Sequence, residues 1–312
     1  MCSSSEIIST SDPRFLHWKQ IAQQVEVGEN LSSFLSEKII SINSDKDGFW
    51  MGYQPQSNSE ASFQILINTN DLRSAGITTL SNGFYELGIE KVISKLVQKS
   101  ETFIDVGANV GFYSCLAAAL NPSISIYAFE PNPKVRIKLA TNLNKNNFFG
   151  RVSVLPFGLS NTSKISEFYV PPLSGTAGGS LRELHPEEGE SEKFGVSTKP
   201  LDQILSEIEN LDLIKMDIEG AEFEALQGGR DLIEKHKPVI IVELLRKWML
   251  PFGSHPQNVV DFLSARDYAC FAIEDIGLRR ISIIDEDTIE TNFLFFPTSR
   301  NMSIIENLIV GG

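Results

Sequence analysis

The chain has 312 residues, of which 27 are basic and 40 acidic, a formal charge of −13. At 42% hydrophobic and 21% charged it has ordinary globular usage, which excludes wholesale disorder, a collagen repeat and a coiled coil; at roughly 150 residues per domain the length suits two domains, or one with an appendage. The negative balance repels phosphate backbones and anionic lipid headgroups, so neither nucleic acid nor a membrane surface is an expected partner.

Cys2, Cys115 and Cys270 are too scattered for a disulfide framework or paired zinc ligands, which suits a reducing compartment. No apolar run approaches the ~18 residues of a membrane span, and the first fifteen residues lack a basic start followed by an apolar core. A cytoplasmic address is the expectation, and oligomeric state is left open. Residues 1–80 are read as an N-terminal extension, a cap or a substrate-selecting lid, and residues 81–312 as the main domain. Within the extension, Phe15, Leu16, Trp18, Ile21, Ala22 and Val25 recur at helical spacing. Leu31, Phe34, Leu35, Ile39 and Ile40 suggest a second helix, and Phe49–Tyr53 and Phe63–Ile67 read as short strands.

From residue 101 onward, short apolar strands alternate with amphipathic helices. The expected strands are 102–106, 125–129, 152–157, 211–216, 239–242, 269–273 and 292–296. Helices are expected over 112–120, from Pro133 with Asn132 as its cap, from about Gly220 to Leu226, and from Pro256 to Ala265. Parallel neighbours need crossover connections, so this alternation predicts an α/β fold: a doubly wound, mostly parallel seven-stranded sheet with helices on both faces. An insertion at 165–199 is expected to form a hairpin, with Pro171–Gly195 either a functional loop or disordered.

The chemistry concentrates where strand 102–106 ends in Asp105 and a glycine-rich turn runs from Gly107 to Gly111 into a helix. Such a turn brings backbone close to a ligand at the carboxyl edge of the sheet. Glu130 ends the next strand, where a carboxylate can take both hydroxyls of a ribose. A dinucleotide fingerprint would need glycine at 109 and 112, which are Asn109 and Phe112, and Asp105 would repel a pyrophosphate. S-adenosylmethionine instead combines a cationic end with a ribose and carries no phosphate.

These residues resemble the class I S-adenosylmethionine-dependent methyltransferases, a Rossmann-like group, and within them the FkbM type. The matching pieces are Gly83-Phe-Tyr-Glu86, Asp105-Val-Gly-Ala-Asn-Val-Gly111, Phe129-Glu-Pro-Asn-Pro133, Pro200-Leu-Asp-Gln203, Lys215-Met-Asp-Ile-Glu-Gly-Ala-Glu222, Val242-Glu-Leu244 and Asn292-Phe-Leu-Phe-Phe296. The resemblance runs from about Gly83 to Thr298 and implies methyl transfer, often to a hydroxyl of a sugar or polyketide. On it, Glu86, Asp105, Gly107, Asn109, Gly111, Glu130, Pro131, Asn132, Gly158 and Asp217 are the expected cofactor-binding residues. The family's usual acid after the third strand is replaced by Asn161, whose amide oxygen can still accept from adenine.

Strand 211–216 delivers Asp217 and Glu219 to the same edge as Asp105, and Glu243 ends the following strand. An alcohol is a poor nucleophile near neutrality, so its methylation calls for a group that takes or polarises its proton. Asp217, then Glu219, then Glu243 are the expected catalytic residues, with helix capping as the alternative for Glu219 and Glu222. His185 and His255 are further candidate bases, and Trp248 and Phe252 candidate floors for the acceptor. The clustered carboxylates also admit a divalent cation such as Mg²⁺, with no His/Cys pattern for a transition metal. Two alternatives to an O-methyltransferase stay open at this point: a module that binds the cofactor without turnover, and an NAD-dependent oxidoreductase.

Overall fold

In the computed structural model, residues 38–55, 60–67, 75–82, 84–173 and 175–309 are described. The helix expected near Phe15–Val25 and the motif residue Gly83 lie outside them. The chain opens with an antiparallel meander, β1 (Ile39–Asp45), β2 (Gly48–Tyr53) and β3 (Phe63–Ile67). Both strands expected here form, but the helical spacing assigned to Ile39 and Ile40 is wrong: Ile39 starts β1 and pairs with Tyr53. A short helix α1 (Ala75–Asn82) and α2 (Leu87–Val97) lead into the main sheet.

That sheet is built from β4 (Thr102–Val106), α3 (Phe112–Leu120), β5 (Ser125–Phe129), α4 (Pro133–Lys145) and β6 (Val152–Leu155) on one side. The other side comprises β10 (Leu213–Met216), α6 (Glu222–Gly228), α7 (Arg230–His236), β11 (Val239–Glu243), α8 (Arg246–Met249), α9 (Pro256–Ser264), β12 (Tyr268–Glu274), β13 (Gly277–Ile281) and β14 (Asn292–Pro297). The strand order is β13-β12-β14-β11-β10-β4-β5-β6. The four pairings from β11 through β10, β4 and β5 to β6 are parallel and the three on the β14 side antiparallel. The expected seven strands are present. An eighth, β13, adds to the edge by a tight hairpin; its Gly-Leu-Arg-Arg-Ile text carries no strand periodicity.

Successive residues of a strand face opposite sides, and the core divides accordingly. Phe103, Val239 and Ile241 pack with α2, α3 and α4 on one face, while Ile104, Ile240 and Val242 pack with α6, α7 and α9 on the other. The N-terminal meander belongs to the first face: Met51, Tyr53, Phe63 and Ile65 are buried with Phe112, and rings of Tyr53 and Phe63 meet Phe112 at 5.5 and 5.4 Å. Asn142 of α4 and Asn146 at its C-terminal cap lock it in place, their side-chain oxygens accepting from the backbone amides of Leu66 at 2.9 Å and Gln64 at 2.7 Å.

The insertion forms a second small sheet. β8 (Lys164–Val170) and β9 (Glu192–Lys199) pair antiparallel, β7 (Gly158–Leu159) joins β9, and a 4-residue helix α5 (Leu201–Ile204) follows. No helix among the described residues is long and apolar enough to cross a membrane.

Candidate active site

Two features of the backbone open a crevice at the carboxyl ends of β4, β5, β10 and β11. Beyond β4 the chain turns through left-handed conformations at Gly107 (φ 76°) and Asn109 (φ 49°), and the amides of Gly107 and Ala108 donate to the carbonyl of Phe129 at 3.0 and 2.9 Å. A side chain at 107 would place its Cβ 1.9 Å from the carbonyl oxygen of Asp217, so glycine is required by both torsion and space. Beyond β10 the chain kinks again at Glu219 (φ 53°) and Gly220 (φ 98°), and the helix starts at Glu222 rather than at Gly220.

The cavity is lined by Gly107, Asn109, Glu130 and Pro131 from the first half of the sheet, and by Lys215, Asp217, Glu219 and Glu243 from the second. Glu86, Tyr85, Tyr113 and Gly158 complete its base. Glu130 is 6% exposed; its carboxylate accepts from the amide of Asn109 at 3.0 Å and of Asn132 at 2.8 Å, leaving further lone pairs on both oxygens for hydroxyl donors. Asp217 pairs with Lys215, Nζ to Oδ2 3.0 Å, and Glu86 accepts from the phenol of Tyr113 at 2.8 Å. Carboxylate oxygens of Asp217, Glu219 and Glu243 lie within 4.8 Å of one another, a spacing suited to oxygen ligation of a hard cation, with Lys215 already set against one of the three.

Several expected residues stand elsewhere. Asp105 does not line the cavity; it is buried behind the turn, where Ser114 Oγ donates to its Oδ2 at 2.6 Å while Oδ1 has no hydrogen-bond partner among the described residues. An odd-numbered neighbour along β4 faces the helix layer, and α3 packs directly over it. Gly111 sits at the head of α3 and Asn132 caps α4 by accepting from the amide of Lys134; neither is part of the lining. Asn161 is turned away to Gln227. His255 caps α9, its ring accepting from the amide of Gln257, and Phe252 stacks under Arg182 instead of flooring the cavity. Trp248 does line it. The capping alternative holds for Glu222, whose Oε1 accepts from the amides of Ile218 and Gly220 at 3.0 and 3.1 Å, and not for Glu219, whose Oε2 has no partner among the described residues.

Lys215 is a site residue beyond those expected, although its place two residues before Asp217 puts both on one side of the strand end. The insertion contributes others. The described residues of the insertion form a wall: Phe168, Ala177, Gly178, Gly179, Leu181 and His185 line the cavity, and Ser180 Oγ donates to the carbonyl of Glu219 at 2.8 Å.

Electrostatics follow from crowding acids around one cation. Burial first, then repulsion from Asp217 and Glu222, raises the Glu219 carboxyl well above its ordinary range, and burial with Asp217 and Glu219 does the same to Glu243. Glu86 is raised by burial, with Lys215 opposing. Burial disfavours the Lys215 ammonium, but Asp217, Asp105 and Glu86 outweigh it and raise its pKa. Burial lifts Glu130 and Glu222 to about 7 against the opposing hydrogen bonds from backbone amides. A folded-state value above the unfolded one means that the native state holds more protons over that interval. This contribution to stability is present below the unfolded value of about 4.3 and is lost as pH rises through about 7. Urea unfolding of the ligand-free chain is therefore expected to show stability falling between about pH 5 and about pH 7.5, with a shallower fall in Glu222→Gln, which keeps the acceptor oxygen but cannot ionise.

The strand order and the carboxylate-edged crevice between β4 and β10, where that order reverses among parallel strands, define a class I S-adenosylmethionine-dependent methyltransferase fold. The methyltransferase FkbM domain model matches residues 105–270, more than half of the sequence, and the chain belongs to that family. Methyltransferase sdnD of Sordaria araneosa is 31% identical over 181 residues, 49% of this chain and 68% of that protein. Hexuronic acid methyltransferase AglP of Haloferax volcanii is 28% identical over 182 residues, 57% of this chain and 68% of that protein. The 2-O-methyltransferase NoeI of Sinorhizobium fredii is 27% identical over 158 residues, 46% and 64% of the two chains. A solved FkbM methyltransferase from Methylobacillus flagellatus aligns at 20% identity with a TM-score of 0.40, covering 63% of this chain and 44% of that one. The chain thus spans less than half the length of that structure.

Proposed function

We propose that the chain transfers a methyl group from S-adenosylmethionine to a hydroxyl oxygen of a small molecule or carbohydrate. The observation that carries this is the pairing of a ribose-compatible carboxylate, Glu130, with a set of acids around Lys215 on the facing strand ends of one crevice. When bound, S-adenosylmethionine supplies an electrophilic methyl group on a sulfonium. Glu130 is placed to accept from ribose hydroxyls, Gly107 and Asn109 to let the backbone pass close to the adenosyl part, and the acids Glu86, Glu219 and Glu243, raised by burial, to gain charge as a cation enters. Asp217, held by Lys215, is fixed in orientation and serves to position the acceptor hydroxyl, with Glu219 and Glu243 beside it. Because charge cancels as the methyl moves, alignment and exclusion of water matter more than a strong base. For residues 1–80 a capping role is supported by the meander, which packs on Phe112 at the head of α3, while Ala75 of the same segment reaches the cavity lining. The names of relatives that act on a hexuronic acid and at a 2-hydroxyl support a hydroxylated sugar as acceptor class. The oxidoreductase alternative gains nothing from the family match.

Calorimetry with S-adenosylhomocysteine and transfer of labelled methyl to a panel of methyl glycosides test this. Glu130→Ala is expected to weaken binding of S-adenosylhomocysteine by about 1–3 kcal/mol, the cost of unmet polar partners. Asp217→Asn is expected to keep that affinity within about threefold while lowering turnover by about 10²-fold or more. Parent-like behaviour of both variants overturns the assignment.

A further inference from the structure

The insertion carries one histidine into the cavity. His185 is 8% exposed, lines the cavity together with Trp248, and meets the indole edge-to-face with ring centroids 6.0 Å apart. Its two nitrogens have different surroundings. Nδ1 lies 3.3 Å from Glu187 Oε1 and 3.6 Å from Glu188 Oε1, whereas Nε2 is buried with no hydrogen-bond partner among the described residues. Glu188 is fixed in turn, its Oε2 accepting from the amide of Leu173 at 3.0 Å and its own amide donating to the carbonyl of His185. Carboxylates only accept, so they favour the tautomer with the proton on Nδ1 and leave the Nε2 lone pair bare. Leaving a buried ring nitrogen without a partner costs free energy, and a ligand hydroxyl in the cavity would remove that cost.

We propose that His185 Nε2 is the general base for the acceptor hydroxyl, with Glu187 and Glu188 setting its tautomer. This rests on the methyl-transfer reading above and adds the proton's destination. As the oxygen–carbon bond forms, the O–H bond breaks and its proton passes to Nε2. The carbon–sulfonium bond breaks with its electron pair going to sulfur, leaving a neutral thioether. The imidazolium that results is stabilised by Glu187 and Glu188, as an acid positioned behind a histidine does generally. Asp217, already paired with Lys215, then keeps the orienting role and needs no proton of its own.

The test has two arms that fail separately. Long-range ¹H–¹⁵N correlation spectra of the parent bound to S-adenosylhomocysteine, with His185→Gln for assignment, are expected to show an Nδ1-protonated ring with a bare Nε2, and Glu187→Gln/Glu188→Gln to shift the ring toward the other tautomer. An Nε2-protonated ring in the parent overturns the proposal without reference to any acceptor. In the labelled-methyl assay on the glycoside panel, His185→Gln is expected to bind S-adenosylhomocysteine within about threefold of the parent and to lose about 10²–10⁴-fold in turnover. Retention of the parent rate overturns the role of base. Should the parent methylate nothing in the panel, the acceptor class fails, and the spectra alone decide for or against His185.

Discussion

Gly107→Ala is expected to lower the stability of the chain by about 2–5 kcal/mol and to abolish binding of S-adenosylhomocysteine. The first part of that cost is torsional, because Gly107 has φ 76°, and a left-handed conformation costs an L-residue about 1–2 kcal/mol. The second is steric. The added methyl would sit 1.9 Å from the carbonyl oxygen of Asp217, a backbone atom that cannot rotate away, so either β10 or the turn must shift. Such overpacking costs about 1–3 kcal/mol, and the shift falls between the two halves of the crevice, whose spacing sets the site. Differential scanning calorimetry and isothermal titration give the two readouts. A variant with the parent's midpoint and affinity would show that the turn is not rigid where the site needs it.

Lys215→Met is the second large effect, about 3–5 kcal/mol at pH 8. Lys215 is 4% exposed, its ammonium 3.0 Å from Asp217 and 5.1 Å from the centre of the Tyr113 ring. It is the cation that Asp105, Glu86 and Asp217 share. Removing it leaves carboxylates facing one another in a buried space, where an uncompensated charge is far more costly than at the surface. The cost is expected to shrink at about pH 5.5, since burial raises the Asp105 and Glu86 carboxyls and protonating them relieves the repulsion. Denaturant unfolding at the two pH values checks both size and sign; an equal loss at both would mean that packing of the stem, and not charge, is what Lys215 supplies.

The fold was legible because the periodicities were clean. Thr102–Val106, Ser125–Phe129 and Phe112–Leu120 read directly as strand, strand and helix, and Asn132-Pro133 marks the start of α4 with a cap whose geometry is realised. Ile39 and Ile40 continue a helical stripe from Leu31, Phe34 and Leu35 as readily as they begin a strand, and only pairing with β2 decides between the two. At the site, sequence order told which residues reach the sheet edge but not which way they turn. Asp105 and Asp217 both follow apolar strand residues, yet one is buried under α3 and the other lines the crevice. Glu219 and Glu222 differ by three positions, and the left-handed turn between them, invisible in composition, gives one to the cavity and the other to backbone amides. The role of Pro171–Gly195 was unreadable for a different reason: its contacts are with Glu219, Ala221 and Trp248, far along the chain.

The way the insertion is mounted has a bearing on how such enzymes diversify. Its strands pair with each other and with β7, forming a sheet of their own rather than extending the eight-stranded one. The segment that walls one side of the cavity is therefore a sheet apart, joined to the scaffold through one short strand, the Ser180 hydroxyl, the Lys134–Glu192 ion pair and side-chain contacts with Ala221, Phe252 and Trp248. On the function proposed above, exchanging that tip between relatives would alter one wall of the cavity and leave the strands that carry Glu130 and Asp217 as they are.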